Sequence, residues 1–186
     1  QVAAILVITR GAVNATPRVA SNRCLALALR RYVARPMPSP RIPIFRRERV
    51  LEAKHIDQLG HVNNLAWIRL TLELAEAHSV ALGFGYEALR ALGCVWVVRH
   101  QDLHYERSAF LGERIRETTW VSELRGARCL RHTRLRSEAG ELLFAANTEW
   151  AFVDVAKLRA RRTPAELRAA FDLVSLEAGD AAERGA

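Results

Sequence analysis

Two hydrophobic periods run along this chain, and the switch between them divides it into a helical and a stranded part. Patterning becomes readable from Ile42, and Ile44 to Ile56 reads as a strand that ends in a turn at Gln58-Leu59-Gly60. Asn64 to Leu82 reads as a helix: Asn63 or Asn64 can accept hydrogen bonds from the first free backbone amides, and Gly83 and Gly85 stop it. Arg69, Glu73 and Glu76 form one narrow charged stripe, flanked by Leu65, Ile68, Leu72 and Ala75 on one side and Trp67, Leu70, Leu74 and Ala77 on the other. A helix apolar over most of its circumference has to be covered over most of its circumference. After a short helical piece (86–92) the period falls from 3.6 to 2 over 94–107, 113–124, 127–138 and 142–153, with Gly112, Gly126 and Gly140 where hairpin turns belong. In the third of these runs Cys129, Thr133 and Leu135 point inward and Arg128, His132, Arg134 and Arg136 outward; the last run puts Phe144, Ala146, Trp150 and Phe152 on one face. A last helix is expected from Thr163, with Pro164 at its first position. The order predicts an α+β domain, a five-stranded antiparallel sheet wrapped around one long central helix.

Composition adds limits rather than elements. The chain has 186 residues, 50% apolar and 26% charged, which is ordinary for a globular domain with one core. No stretch approaches the roughly 18 apolar residues of a membrane span, so no membrane partner is expected. Cys24, Cys94 and Cys129 are odd in number, far apart and without a CxxC pair. That pattern argues against a disulfide framework or a thiolate zinc site and for a reducing, cytoplasmic compartment.

The net charge of +8 is unevenly spread: residues 1–47 hold nine arginines and no acid, whereas the rest carry 19 basic and 20 acidic groups. The basic signal therefore belongs to an extension (1–40) placed outside the folded domain (41–175), with 176–186 read as a C-terminal tail. The only methionine is Met37, so the first reading is that translation begins there; an organellar transit peptide and a basic nucleic-acid arm are the other two. A nucleic-acid partner is not expected of the body.

The chemistry concentrates in the turn His55-Ile56-Asp57-Gln58-Leu59-Gly60-His61-Val62-Asn63-Asn64. It sets a carboxylate, an imidazole and two amides directly before a helix N-terminus, where unpaired amides and a partial positive charge can hold a developing oxyanion. Asp57 could act there as nucleophile or as general base toward water. The same residues also fit a purely structural role, with Asp57 closing the turn and Asn63 or Asn64 capping the helix.

Asp57-x-x-Gly60-His61-Val62-Asn63-Asn64, followed by Trp67 in a helix, resembles the signature of hotdog-fold thioesterases, and above all the 4-hydroxybenzoyl-CoA thioesterase-like acyl-CoA enzymes. The His-Val-Asn-Asn portion is also similar to acyl-ACP thioesterases, and the likeness runs over roughly 42–170, including the closing Arg161-Arg162-Thr163-Pro164. The resemblance implies a metal-free, cofactor-free hydrolase of acyl-CoA or acyl-carrier-protein thioesters, working as a homodimer or homotetramer with its substrate tunnel between protomers. It implies Asp57, His61 and Asn64 as catalytic positions, the Asn64 amide polarising the thioester carbonyl, and Gly60, Val62, Asn63 and Trp67 as substrate-binding ones. In acyl-ACP enzymes the matching histidine works beside an asparagine, where this chain has Leu59.

Other groupings carry less. Glu73 and Glu76 lack the His-Gly-Gly motif of another hotdog branch and read as a solvated or interface stripe. His100 and His104 on one strand stand about 13 Å apart, too far to share an ion. Arg128, Arg134 and Arg136 could meet CoA phosphates or an acidic carrier, or be simply solvated. Glu149 is placed opposite the apolar face, where it could line a protomer contact. A hydratase on the same fold and a non-catalytic acyl-CoA-binding or regulatory protein are the alternatives.

Overall fold

A computed structural model describes residues 41–185. The readings placed on residues 1–40 lie outside the described residues. Along the chain come β1 (Ile44–Val50), a single 3-10 turn (Ala53–His55), α1 (Asn64–Ala81), α2 (Tyr86–Ala91), β2 (Cys94–Tyr105), β3 (Arg114–Arg125), β4 (Arg128–Ser137), β5 (Leu142–Asp154), β6 (Arg159–Ala160), α3 (Ala165–Ala170) and α4 (Leu176–Arg184). All strands pair antiparallel in the order β1-β3-β4-β5-β2, and the two-residue β6 adds to β5 beyond the five expected. Gly126 and Gly140 turn the β3–β4 and β4–β5 hairpins at φ +63° and +89°, a conformation open to glycine at little cost.

The sheet curls around α1. Leu70 and Leu74 are fully buried, and Trp67 stacks on Phe144 of β5 with centroids 5.5 Å apart and planes within 5°. Each fully buried Leu or Phe contributes about 1.5–3 kcal/mol relative to exposure, and a second cluster around Leu82, Val121, Phe152 and Leu167 closes the other end of the core. Of the charged stripe of α1, Arg69 is exposed, while the two glutamates are partly buried and paired. Glu73 pairs with Arg49 of β1 at 2.9 Å, and Glu76 accepts the Tyr86 amide at 2.7 Å, holding α2 against the helix.

Polar side chains enter the interior where the inward phase of the strands demands it. Glu117 of β3 is fully buried and paired with both Arg47 and Arg49 of β1. His78 of α1 bonds the Ile42 carbonyl through Nε2 (2.8 Å) and Arg131 of β4 through Nδ1 (3.0 Å). With Arg131 the donor, the ring is neutral with its proton on Nε2. Burial, then the Arg131 charge, pushes the His78 pKa down to about 3.

Four expectations are corrected. The first strand stops at Val50, because the Leu51 amide turns to Glu113 O and the chain then closes the 3-10 turn. The late helix starts at Ala165 with Pro164 as its cap, because Thr163 spends both amide and hydroxyl on Gly126 O. Residues read as a tail form α4, capped by Ser175 and laid on the outer face of the sheet. That helix explains two of the outward arginines, Arg134 pairing with Asp180 at 2.8 Å and Arg136 with Glu183 at 2.6 Å, while Arg128 pairs with Glu149 of β5. None of the three is a free cation for CoA phosphates.

Gly179 of α4 rests on Trp120, and a Cβ there would lie 2.1 Å from the indole ring. Gly179→Ala gains about 1 kcal/mol of helix propensity but overpacks the contact by about 1–3 kcal/mol. We expect a lower Tm and a red-shifted tryptophan emission; an unchanged or raised Tm would show that α4 docks differently. A second prediction concerns His78. Unfolded chains bind its proton near pH 6.5 and the folded ring resists until about 3, so stability falls as pH drops through that window. Between pH about 7 and about 4.5 the loss traceable to His78 is roughly 2–3 kcal/mol. His78→Gln should start less stable but lose less on acidification, as read from denaturant unfolding at both pH values.

Candidate active site

Every backbone contact around the Asp57 turn serves to hold it rigidly before α1. Behind it, the buried His55 ring accepts the Glu52 amide at Nδ1 (2.9 Å), and His55 O accepts the Asn63 amide (2.9 Å). Burial first, then the Lys54 and Arg49 charges, lowers the His55 pKa, which keeps that ring a neutral acceptor. Ile56 pairs with Val62, Asp57 N donates to His61 O (3.0 Å), and Gly60 N returns to Asp57 O (3.1 Å) with Gly60 at φ +81°. His61 in turn pairs with Phe110, and Val62 N donates to Ala109 O.

Within this frame the Asp57 carboxylate accepts the Leu59 amide at 2.8 Å, and its Oδ1 stands 3.9 Å from His61 Nδ1. That separation is too long for a hydrogen bond and short enough for electrostatic contact. The two side chains are 24% and 32% exposed, so a substrate can reach both. Asn63 is the helix cap, its side-chain oxygen taking the Leu65 amide at 2.7 Å. The amides of Ala66 and Trp67 bond Asn63 O, which leaves the Asn64 amide without a partner among the described residues. It is a free first-turn amide at the start of an 18-residue helix, where the helix dipole leaves a partial positive charge.

The structure thus places Asp57 and His61 3.9 Å apart on the turn that runs into α1, whose first residue is Asn64, with Gly60 setting the turn. Val62 and Trp67 are each 3% exposed and belong to the core behind the turn, while Asn63 is spent as a cap. Around the group lie exposed apolar side chains: Leu59 in the turn, Leu65 in the first turn of α1, and Phe110 and Leu111 on the strip paired with His61.

Three cavities stand apart from Asp57, which lines none of them. One of about 440 Å³ lies by Arg46, Glu48 and Arg116, and one of about 670 Å³ by Ser108, Phe110 and Glu138. The third, about 50 Å³, lies between the C-terminal half of α1 and the sheet, walled by Glu76, Ser79, Trp96, Trp150 and Arg131. Arg131 was missed in the sequence, although it shares the inward period of Cys129 and Thr133; it also donates to Thr119 Oγ1 at 3.2 Å. His104 and Asp102 form an exposed pair at 3.2 Å. Among the described residues no group of three His, Cys, Asp or Glu could hold a metal ion, and no helix is long and apolar enough to cross a membrane.

Comparison with known proteins matches this geometry to a family. In solved structures the fold recurs in a 1,4-dihydroxy-2-naphthoyl-CoA thioesterase from Synechocystis (16% identity, TM-score 0.64, covering 68% of this chain and 94% of that one). It recurs in an acyl-ACP thioesterase from Bacteroides thetaiotaomicron (18% identity, TM-score 0.63, 72% of this chain and 56% of that one). A hypothetical protein from Staphylococcus aureus, solved in complex with CoA, shares it as well (12% identity, TM-score 0.66, 71% and 88%). No curated protein is similar enough in sequence to match. These likenesses identify the curled sheet around α1 as the hotdog fold. Because residues 44–171, well over half the chain, match the acyl-ACP thioesterase N-terminal domain, the protein belongs to that thioesterase family.

Proposed function

We propose that this chain hydrolyses acyl-CoA or acyl-carrier-protein thioesters with Asp57 as its catalytic carboxylate. The observation that carries this reading is a partly exposed Asp57 beside His61 on the short turn that leads directly into the unpartnered Asn64 amide at the head of α1. A thioester carbonyl oxygen directed at that amide would place its carbon before the carboxylate. Asp57 then either attacks the carbon, expelling the thiolate and leaving an anhydride for water to open, or draws a proton from an attacking water. In both routes negative charge grows on the carbonyl oxygen, where the helix dipole and the amide stabilise it. His61, 3.9 Å from Asp57, is positioned to share a proton as the thiolate departs.

Leu59, Leu65, Phe110 and Leu111 offer an apolar rim that an acyl chain or a second protomer would cover. We assign that cover to a homodimer or homotetramer whose interface completes the tunnel beside Asp57. Cys94 and Cys129, both free and buried, suit a reducing compartment such as the cytoplasm.

The test is thiol release from a panel of acyl-CoA thioesters. Asp57→Ala and Asp57→Asn should lower kcat by at least ~100-fold while keeping the wild-type Tm; undiminished turnover in either variant refutes the assignment. Asn63→Ala removes the cap and should cost about 1 kcal/mol of stability. It should lower kcat by a smaller factor than the Asp57 variants do, because the frayed first turn no longer fixes the Asn64 amide.

A further inference from the structure

The outer face of the sheet carries a second polar constellation that the Asp57 chemistry does not use. Ser122 Oγ lies 2.7 Å from His132 Nε2, and His132 Nδ1 lies 2.8 Å from Asn147 Oδ1. The side chains come from β3, β4 and β5 in turn, three neighbouring strands. The amide oxygen of Asn147 can only accept, so the proton of the imidazole sits on Nδ1 and Nε2 is left to accept from the Ser122 hydroxyl. The other end of Asn147 is held as well: its side chain hydrogen-bonds the Asp102 carboxylate on β2, which fixes the amide with nitrogen toward Asp102 and oxygen toward His132. A hydroxyl, a neutral base and a group that orients the base are the parts of an activated nucleophile.

A second observation is independent of those distances. Val121 pairs with Arg131 and Glu123 with Leu130, so Ser122 is the extra residue of a β-bulge. Alternation from Trp120 and Val121 already turns Ser122 to the outer face; the bulge leaves it without a cross-strand partner on β4 and brings Glu123 to the outer phase after it, opening the pleat beside the serine. His132 is 3% exposed and stacks on Trp120, whereas Ser122 is only half-buried. The base is thus shielded and the hydroxyl reachable. Burial first, and the neighbouring Arg134 and Arg131 charges after it, hold the imidazole below its ordinary pKa against the opposing pull of Asn147 and of Asp180 on α4, so the ring stays neutral at physiological pH.

We propose that Ser122, His132 and Asn147 form a second nucleophilic centre, in which Ser122 is acylated by small activated carboxylic esters. In the step proposed, Ser122 Oγ bonds to the ester carbonyl carbon while its proton passes to His132 Nε2. The tetrahedral adduct collapses with rupture of the carbon–oxygen bond to the leaving group, which takes the proton from His132. Water, deprotonated by the same nitrogen, then releases the acid and restores the serine. Ser122 and His132 are catalytic residues of this centre, and Asn147 is a positioning residue.

The test uses the full chain with p-nitrophenyl acetate, and separately with a fluorophosphonate, followed by peptide mass spectrometry of the acid-quenched protein. An acyl or phosphonyl adduct on Ser122 is expected, absent in Ser122→Ala and formed at least ~100-fold more slowly in His132→Gln. Asn147→Ala, which keeps the imidazole and releases its tautomer, should slow the reaction by a smaller factor, and it stands in for His132→Gln if that variant does not fold. In wild type the rate should hold from alkaline to neutral pH and fall only below the ordinary imidazole value of about 6.5. A folded wild-type chain with no adduct on Ser122 overturns the proposal. So does an adduct that forms equally fast without the His132 or Asn147 side chain, since Ser122 would then be an ordinary surface hydroxyl.

Discussion

One buried carboxylate fixes the position of most of what surrounds it. Glu117 of β3 has no exposed surface, and it is clamped by Arg47 and Arg49 of the edge strand β1. Arg49 continues to Glu73 on α1 at 2.9 Å, so three elements meet in a single charge network. Removing one member of such a buried pair typically costs about 3–5 kcal/mol, because the remaining charge is left desolvated. The network is also selective. A slip of β1 by one residue would turn Arg47 and Arg49 to the outer face and carry Phe45, which stacks on His78, with them. The register Arg47↔Glu117 is therefore the arrangement that satisfies both the charges and the apolar contacts.

The Asp57 turn inherits its position from that register. With β1 fixed, Leu51 seats in the core and gives its amide to Glu113, and the 3-10 turn brings His55 under Asn63. The strip 109–110 holds the far side of the hairpin through Val62 and His61. Asp57 is thus attached to rigid elements at both ends, which is what the catalytic role proposed for it would require.

What could be read beforehand followed from local periodicity, and what could not depended on distant partners. The bounds of α1 and of the four long strands were legible to within a residue or two because hydrophobic period alone specifies them. Asp57, Gly60 and His61 were legible as a group because they are adjacent in sequence. The choice of Asn63 over Asn64 as cap was open, since either side chain can accept amides and only backbone geometry decides. Ile56 looked like a continuation of β1 because its apolar side chain suits a strand, yet it pairs with Val62 across the Asp57 hairpin. Trp67 looked like a substrate contact by position; its stacking on Phe144, 77 positions away, makes it core. The outward arginines could not be read at all without α4, whose short polar stretch with a central glycine has little helical signature until Trp120 receives that glycine.

That helix changes the physics of the outer face. A sheet covered on one side normally turns polar groups to water on the other, where hydrogen bonds exchange freely and contribute little. Here α4 lies over Trp120 and takes Arg134 and Arg136 into ion pairs, leaving His132 almost without exposed surface. Hydrogen bonds between Ser122, His132 and Asn147 consequently operate in a medium of lower effective dielectric, where each is stronger and an unmade one more costly. The inner face follows the same logic with different groups, since burial keeps His78 neutral beside Arg131. A sheet with both faces covered can hold an ordered polar system on each. That is why the outer constellation keeps a defined tautomer and geometry instead of dissolving into a solvated surface.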